Sequence, residues 1–238
     1  MTAKIKRYYT ALRRYNRSKG FGIHSPFAFN FVLRVLRERL PYYAYDDIEY
    51  RRRLAKTLAS TVSRHPKVIS SKNAKMIFRI TNYFKPLAIM QIGTSYGVSA
   101  TAVLDVDSRT RLVLYQGNQP HEEIYKEIVA AHASRISLYC SLLEALTAYG
   151  RLLGGVPPFM LINSVNADEL PLVGKAVLDA LDKEGTVIMR NLSRSHEMEA
   201  LWRGVMEALG HGMSFTNGKL GVIVGYRHLP RQNFSLWF

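Results

Sequence analysis

The sequence predicts an α/β protein: a doubly wound, mostly parallel sheet with an antiparallel C-terminal hairpin and a helical extension at its N-terminal end. Three observations carry that prediction. From Pro86 onward, short apolar runs alternate with amphipathic stretches, the pattern of parallel strands covered by helices on both faces. The last two runs are joined through Asn217-Gly218, a dipeptide suited to a tight hairpin turn. Residues 1–85, by contrast, place their apolar side chains at helical spacing.

The elements follow in order. Residues 2–18 read as an amphipathic helix, with Ile5, Tyr8, Leu12 and Tyr15 on one face and Lys4, Lys6, Arg7, Arg13, Arg14 and Arg17 over most of the rest. Gly20 and Gly22 interrupt it. Ser25 is placed to cap a second helix, with Pro26 where a first turn tolerates it. Phe27, Phe31, Val35 and Leu36 form its apolar stripe, and Pro41 is the expected stop. A third helix is expected from Asp46 or Asp47, with Leu54, Leu58 and Val62 inward. A fourth follows Ser70 or Ser71, with Met76, Ile77, Ile80 and Phe84 inward. Five strands are then expected in PLAIMQIG, RLVLYQG, RISLYC, PFMLIN and GTVIMRN, each followed by a helix. MSFTNGKLGVIVGY supplies two more as the hairpin.

Charge divides the chain at the same point. The 238 residues carry 33 Lys+Arg and 18 Asp+Glu, net +15. Residues 1–85 hold 20 basic and 4 acidic side chains, net +16, and residues 86–238 hold 13 and 14, net −1. The expected organisation is therefore a basic helical extension, 1–85, and a nearly neutral α/β domain, 86–238. The basic part suits a polyanionic partner, either nucleic acid or an anionic membrane surface. Tyrosines among the arginines fit base stacking and an interfacial helix equally. One cysteine, Cys140, excludes an internal disulfide framework and a cysteine-rich zinc site. No apolar run reaches the about 18 residues of a membrane span. The basic start lacks the apolar core of a secretory signal, so a cytoplasmic protein is expected.

Ligands of such sheets bind at the carboxyl ends of the strands. The first of these loops, IGTSYGVSA, carries Gly93 and Gly97. Glycine lets backbone approach a ligand, and the following helix start favours a negative group. The loop has neither the three glycines of a dinucleotide fingerprint nor the Gly-Lys-Ser/Thr of a P-loop. Candidate proton acceptors near the other loops are His196, Asp168 and His121. For His196 the competing reading is a surface helix start, and for Asp168 a helix N-cap.

IMQIGTSYGVSA resembles the first motif of class I S-adenosylmethionine-dependent methyltransferases. FGIHSPFAFNFV, MIFRITNYFKP, SHEMEALWRGV and RQNFSLWF extend the resemblance, over nearly the whole chain, to a Bacteroidetes group of predicted methyltransferases with an N-terminal HSPF segment. The resemblance implies a Rossmann-like, seven-stranded sheet with prepended helices. It implies S-adenosylmethionine bound by Gln91, Gly93, Thr94, Ser95, Tyr96, Gly97, Gln116 and Asn163, and methyl transfer to an acceptor it does not identify.

The departures from that group lie at the same loops. Gln91 and Gln116 stand where relatives carry acids, the second of which binds the cofactor ribose. Asn163-Ser164-Val165-Asn166 replaces Asp-Gly-Asn-His, and Arg190-Asn191 replaces an acidic pair. An amide in place of the ribose carboxylate gives up charge-assisted bonds worth about 1–3 kcal/mol. Magnesium needs hard oxygen ligands, and Arg190 would repel it, so no metal is expected. Two functions stay open: an active methyltransferase, or a catalytically degenerate methyltransferase fold acting as a binding or scaffold module.

Overall fold

The computed structural model describes residues 14–15, 18–20, 22–117 and 122–238. Most of the helix expected over 2–18, and His121, lie outside the described residues.

The chain enters through helix α1, Pro26–Phe31, capped by Ser25, whose Oγ accepts the Ala28 N–H at 3.3 Å. A π-helical turn, Val32–Leu36, continues it. The helix ends there, before Pro41. The Glu38 carboxylate accepts the N–H groups of Arg39 and Leu40 and folds the chain into a turn. Arg79 donates to the carbonyls of Val35 and Leu36, satisfying two groups that the helix end leaves open. Helix α2, Ala44–Val62, starts before the two aspartates and buries Ala44, Ile48, Ala55 and Ala59, while Val62 is exposed. The alanines let it lie close on its neighbours. Helix α3, Ser71–Phe84, is capped by Ser70 and buries Met76, Ile77 and Ile80 as expected.

The α/β part follows. Strand β1, Ala88–Ile92, leads through a short turn at Ser95–Gly97 into helix α4, Val98–Leu104. Then come β2, Arg111–Tyr115; α5, Glu122–Val129; β3, Ile136–Tyr139; α6, Leu142–Leu153; β4, Phe159–Ile162; and α7, Leu170–Asp182. The chain ends with β5, Thr186–Arg190; α8, His196–Ala208; the hairpin β6, Met213–Thr216, and β7, Leu220–Val224; and β8, Gln232–Ser235. All residues of β1, β4, β5 and β7 are buried. This explains why they read as unbroken apolar runs rather than alternating ones.

The sheet order is β3-β2-β1-β4-β5-β7-β6-β8, with β7 antiparallel to its neighbours. Eight strands are present among the described residues, where seven were expected. The added β8 pairs parallel with β6. Its residues, QNFS, are too polar to read as a buried strand, but they cover what would otherwise be an open edge. Phe234 stacks on Phe215 at 5.2 Å, and Leu236 is fully buried. Arg14 Nε donates to Ser235 Oγ at 2.7 Å, and the Trp237 N–H donates to Ser18 Oγ at 2.6 Å, so Arg14 and Ser18 hold this edge.

One face of the sheet and helices α1 to α3 share a hydrophobic core. Phe31 lies at its centre, against Phe27, Tyr83, Phe84 and Phe215, with Phe215 at 4.9 Å. Arg51 grips Asp105 with two bonds of 2.8 and 3.0 Å, fastening α2 to the end of α4. Among the described residues no helix is long and apolar enough to cross a membrane.

Candidate functional site

The sheet order reverses at β1, which pairs with both β2 and β4, so the loops leaving β1 and β4 part at this point. The ladder runs one residue beyond the strands. The Gly93 N–H donates to the Tyr115 carbonyl at 2.9 Å, and the Asn163 N–H to that of Ile92 at 2.8 Å. These bonds fix Gly93 and Asn163 side by side.

Gly93 has φ +83°, and a Cβ there would stand 2.4 Å from Ser164 Oγ, so only glycine fits. Ser95 and Tyr96 also take positive φ, 44° and 58°, conformations that cost a side-chain-bearing residue about 1 kcal/mol or more. Gly97, at φ +80°, opens α4 against Val129.

Three side chains close the strand ends. Gln91, fully buried, donates through Nε2 to the Gly93 carbonyl at 2.8 Å, and its Oε1 has no partner. Asn163 donates through Nδ2 to the same carbonyl at 2.7 Å and to Ser99 Oγ at 3.1 Å. Its Oδ1 accepts from Arg190 Nη1 at 2.6 Å. Arg190 also reaches Ser95 Oγ at 3.3 Å. Its Nε is buried without a partner, and the residue is 4% exposed. Burial, and then the neighbouring charge of Arg194, hold its guanidinium down at about 10. Asn191, at φ +59°, donates to the Asn163 carbonyl at 2.9 Å. The ends of β1, β4 and β5 are thus joined by amides and one guanidinium, and among the described residues no carboxylate is bonded to them.

The other rim of the cleft is drawn shut. The Tyr115 hydroxyl donates to Glu169 Oε1. Burial first, and then the Glu169 charge, push the Tyr115 phenol up to about 12. Glu169 Oε2 accepts the Asn166 N–H at 3.0 Å, completing a capping box in which Asn166 is the N-cap. Asp168, expected as that cap, stands one residue inside the turn and is exposed. Gln116 is almost buried and partners Glu122, whose carboxyl it lowers after Lys126 has done so more strongly. Among the described residues, the space left between Gly93, Tyr115, Gln116, Ser164 and Glu169 is a cavity of about 30 Å³. That is room for about one water, whereas ligand pockets measure about 300–1,000 Å³.

The structure therefore brings together Gln91, Gly93, Ser95 and Asn163 of the expected cofactor residues, and adds Arg190 to them. Thr94 is buried, Tyr96 packs against the core, and Gln116 lies across the cleft. His196 is exposed at the start of α8, whose N-cap is Ser195. Neither His196 nor Asp168 lines the cleft. Among the described residues no group of three or more His, Cys, Asp or Glu could hold a metal ion. The end of β5 presents a guanidinium where an acid would be needed.

A second cavity, of about 520 Å³, lies beside the cleft, and Arg190 belongs to its wall. Lys67, Lys72, Arg194 and Lys219 line it as well. These residues come from three stretches far apart in sequence, and no spacing announces them. The only available signal was the excess of positive charge.

No protein-family model and no curated protein sequence matches this chain. Solved structures do. An O-methyltransferase from Bacillus cereus in complex with S-adenosylhomocysteine matches with a TM-score of 0.57 at 16% identity, over 81% of this chain and 96% of that one. The O-methyltransferase of tomaymycin synthesis from Streptomyces achromogenes, in complex with S-adenosylmethionine, gives 0.56 at 13% identity, over 90% and 97%. An S-adenosylhomocysteine-bound methyltransferase of Podospora anserina gives 0.56 at 15% identity, over 86% and 97%. The fold of this chain is the fold of these methyltransferases.

Proposed function

We propose that this chain is a methyltransferase-like protein that has kept the fold of S-adenosylmethionine-dependent enzymes and given up their cofactor chemistry, acting instead as a binding module. The observation that carries this reading is the network at the strand ends. Asn163 and Gln91 each donate an amide N–H to the Gly93 carbonyl, Arg190 covers Asn163, and the cleft beside them holds about 30 Å³. The residues present do not fit S-adenosylmethionine. No acid stands at the ribose position, and the buried guanidinium beside the loop would repel the cofactor's ammonium and sulfonium charges while attracting its carboxylate. With Arg190 at the end of β5, a divalent metal has no better claim on the site.

The test is calorimetric titration of the full chain with S-adenosylmethionine and S-adenosylhomocysteine. No heat of binding at millimolar ligand is expected, and micromolar binding of either would sink the proposal.

A second reading, an active methyltransferase, draws on one observation of its own. The left-handed loop Gly93 to Gly97 is intact, strain at Ser95 and Tyr96 included. Strain of this kind persists where a ligand site needs it. Under that reading the clasp between Tyr115 and Glu169 opens on binding, and methyl transfer rests on aligning acceptor and cofactor. Micromolar cofactor binding would select it.

A further inference from the structure

The larger cavity has the features of an anion site. Its wall is assembled from the end of β5 (Arg190, Asn191), the loop into α8 (Arg194, Ser195), the segment into α3 (Lys67 to Asn73), the β6–β7 turn (Asn217, Lys219) and the last residues, Trp237 and Phe238. None of the side chains lining it is acidic. Among the described residues, none of the five cations takes part in an ion pair. Like charges gathered this way repel one another. Burial, Arg79 and Lys219 together make Lys72 hold its proton less tightly than usual.

Two further features point the same way. Helices α3 and α8, of 14 and 13 residues, begin at this wall, at Ser70 and Ser195. The positive ends of their dipoles add to the field, although Ser195 Oγ itself donates to Glu197. Arg190 is buried, and its Nε is unpartnered. An anion beside it would offset the desolvation that no carboxylate offsets now. Trp237, 57% exposed at the rim, offers an aromatic face.

We infer that this cavity binds a nucleoside diphosphate-sized ligand, its phosphates between Arg190, Arg194, Lys72 and Lys219 and its base against Trp237. The volume of about 520 Å³ suits a ligand of that size. The inference rests on the binding-module reading and gives it a ligand class.

The test is titration of the full chain with ADP, inorganic pyrophosphate and adenosine at low and moderate salt. ADP is expected to bind, pyrophosphate to bind about tenfold more weakly, and adenosine not at all. Tenfold is about 1.4 kcal/mol, the scale of one stacking contact. Both anions should weaken as salt rises. The exposed pair Lys72→Ala/Lys219→Ala should lose at least tenfold toward ADP and pyrophosphate, with its circular dichroism unchanged. Trp237→Ala should lose affinity for ADP and keep it for pyrophosphate.

No binding of either anion at millimolar concentration would overturn the inference. So would undiminished binding by the lysine pair variant, which would place the anion elsewhere on the basic surface. Binding of a 5′-phosphorylated RNA oligonucleotide without binding of ADP would also overturn it, in favour of nucleic acid. The cofactor titration fails independently. Absence of S-adenosylmethionine binding with absence of ADP binding rejects this inference alone. ADP binding together with micromolar S-adenosylmethionine binding rejects the closed cleft and with it the reading this inference rests on.

Discussion

The two cavities at the carboxyl edge of the sheet are neighbours with opposite character. On one side lies the cleft at the β1–β4 divide, where amides and Arg190 bond one another, Gln91 Oε1 and Arg190 Nε stay unpartnered, and about 30 Å³ remains. On the other lies a cavity of about 520 Å³ whose five cations have no ion-pair partner among the described residues. One residue takes part in both. Arg190 donates to Asn163 in the strand-end network beside the cleft, and it adds a positive charge to the wall of the larger cavity.

Breaking the strand-end network should have the largest effect. Asn163→Leu strips Arg190 of its best acceptor and the Gly93 carbonyl of one donor. A loss of about 3 kcal/mol in urea unfolding is expected. The double variant Asn163→Leu/Arg190→Met should recover most of it, because the buried charge leaves with its partner. Additive losses would mean the two residues do not act together.

Gly93→Ala comes next, at about 2 kcal/mol, for its positive φ and the contact with Ser164 Oγ. Adding Ser164→Gly should return the contact part and leave the φ part. Full recovery would show that the backbone at 93 carries no strain.

Tyr115→Phe should cost about 1 kcal/mol at neutral pH. The sign of its pH dependence is fixed by the raised phenol. The folded protein keeps that proton up to about 12, while the unfolded chain loses it near the ordinary value of about 10. The stabilisation is therefore complete below about pH 10 and vanishes as pH climbs to about 12. The gap between wild type and variant in chemical denaturation should close over that window. The same variant sharpens the contrast between cavities. If S-adenosylhomocysteine binds Tyr115→Phe and not wild type, the clasp alone keeps the cleft shut.

The smallest effect belongs to the cationic side. Lys72→Ala should raise stability by about 0.3 kcal/mol at low salt through relieved repulsion, and the gain should disappear at high salt. A loss at low salt would mean that the lysine has an attractive partner there.

Much of this protein was legible beforehand. Ser25 caps a helix and Asn217-Gly218 makes a hairpin turn, as their residue types predict, and of the two serines expected to begin the next helix, Ser70 is the cap. Apolar runs from Ala88 to Val224 gave seven strands in their right places. The misses share a cause. The segment QNFS became a strand because an edge of β6 needed covering, not because its own pattern demanded one. Val62 turned outward because the packing of α2 selected its alanines. Asp168 lost the cap to Asn166, since Glu169 three residues on could answer Asn166 and close the box.

The sequence by itself determined the alternation of strands and helices, the division of charge at residue 85 and the absence of acids from the strand ends, because periodicity and composition are local properties. Only the tertiary structure decided where the surplus charge acts. Lys67, Lys72, Arg190, Arg194 and Lys219 meet around one cavity because the sheet brings the end of β5, the start of α3 and the β6–β7 turn to the same edge. Charges combine through space, and distance in space is set by the fold rather than by separation along the chain.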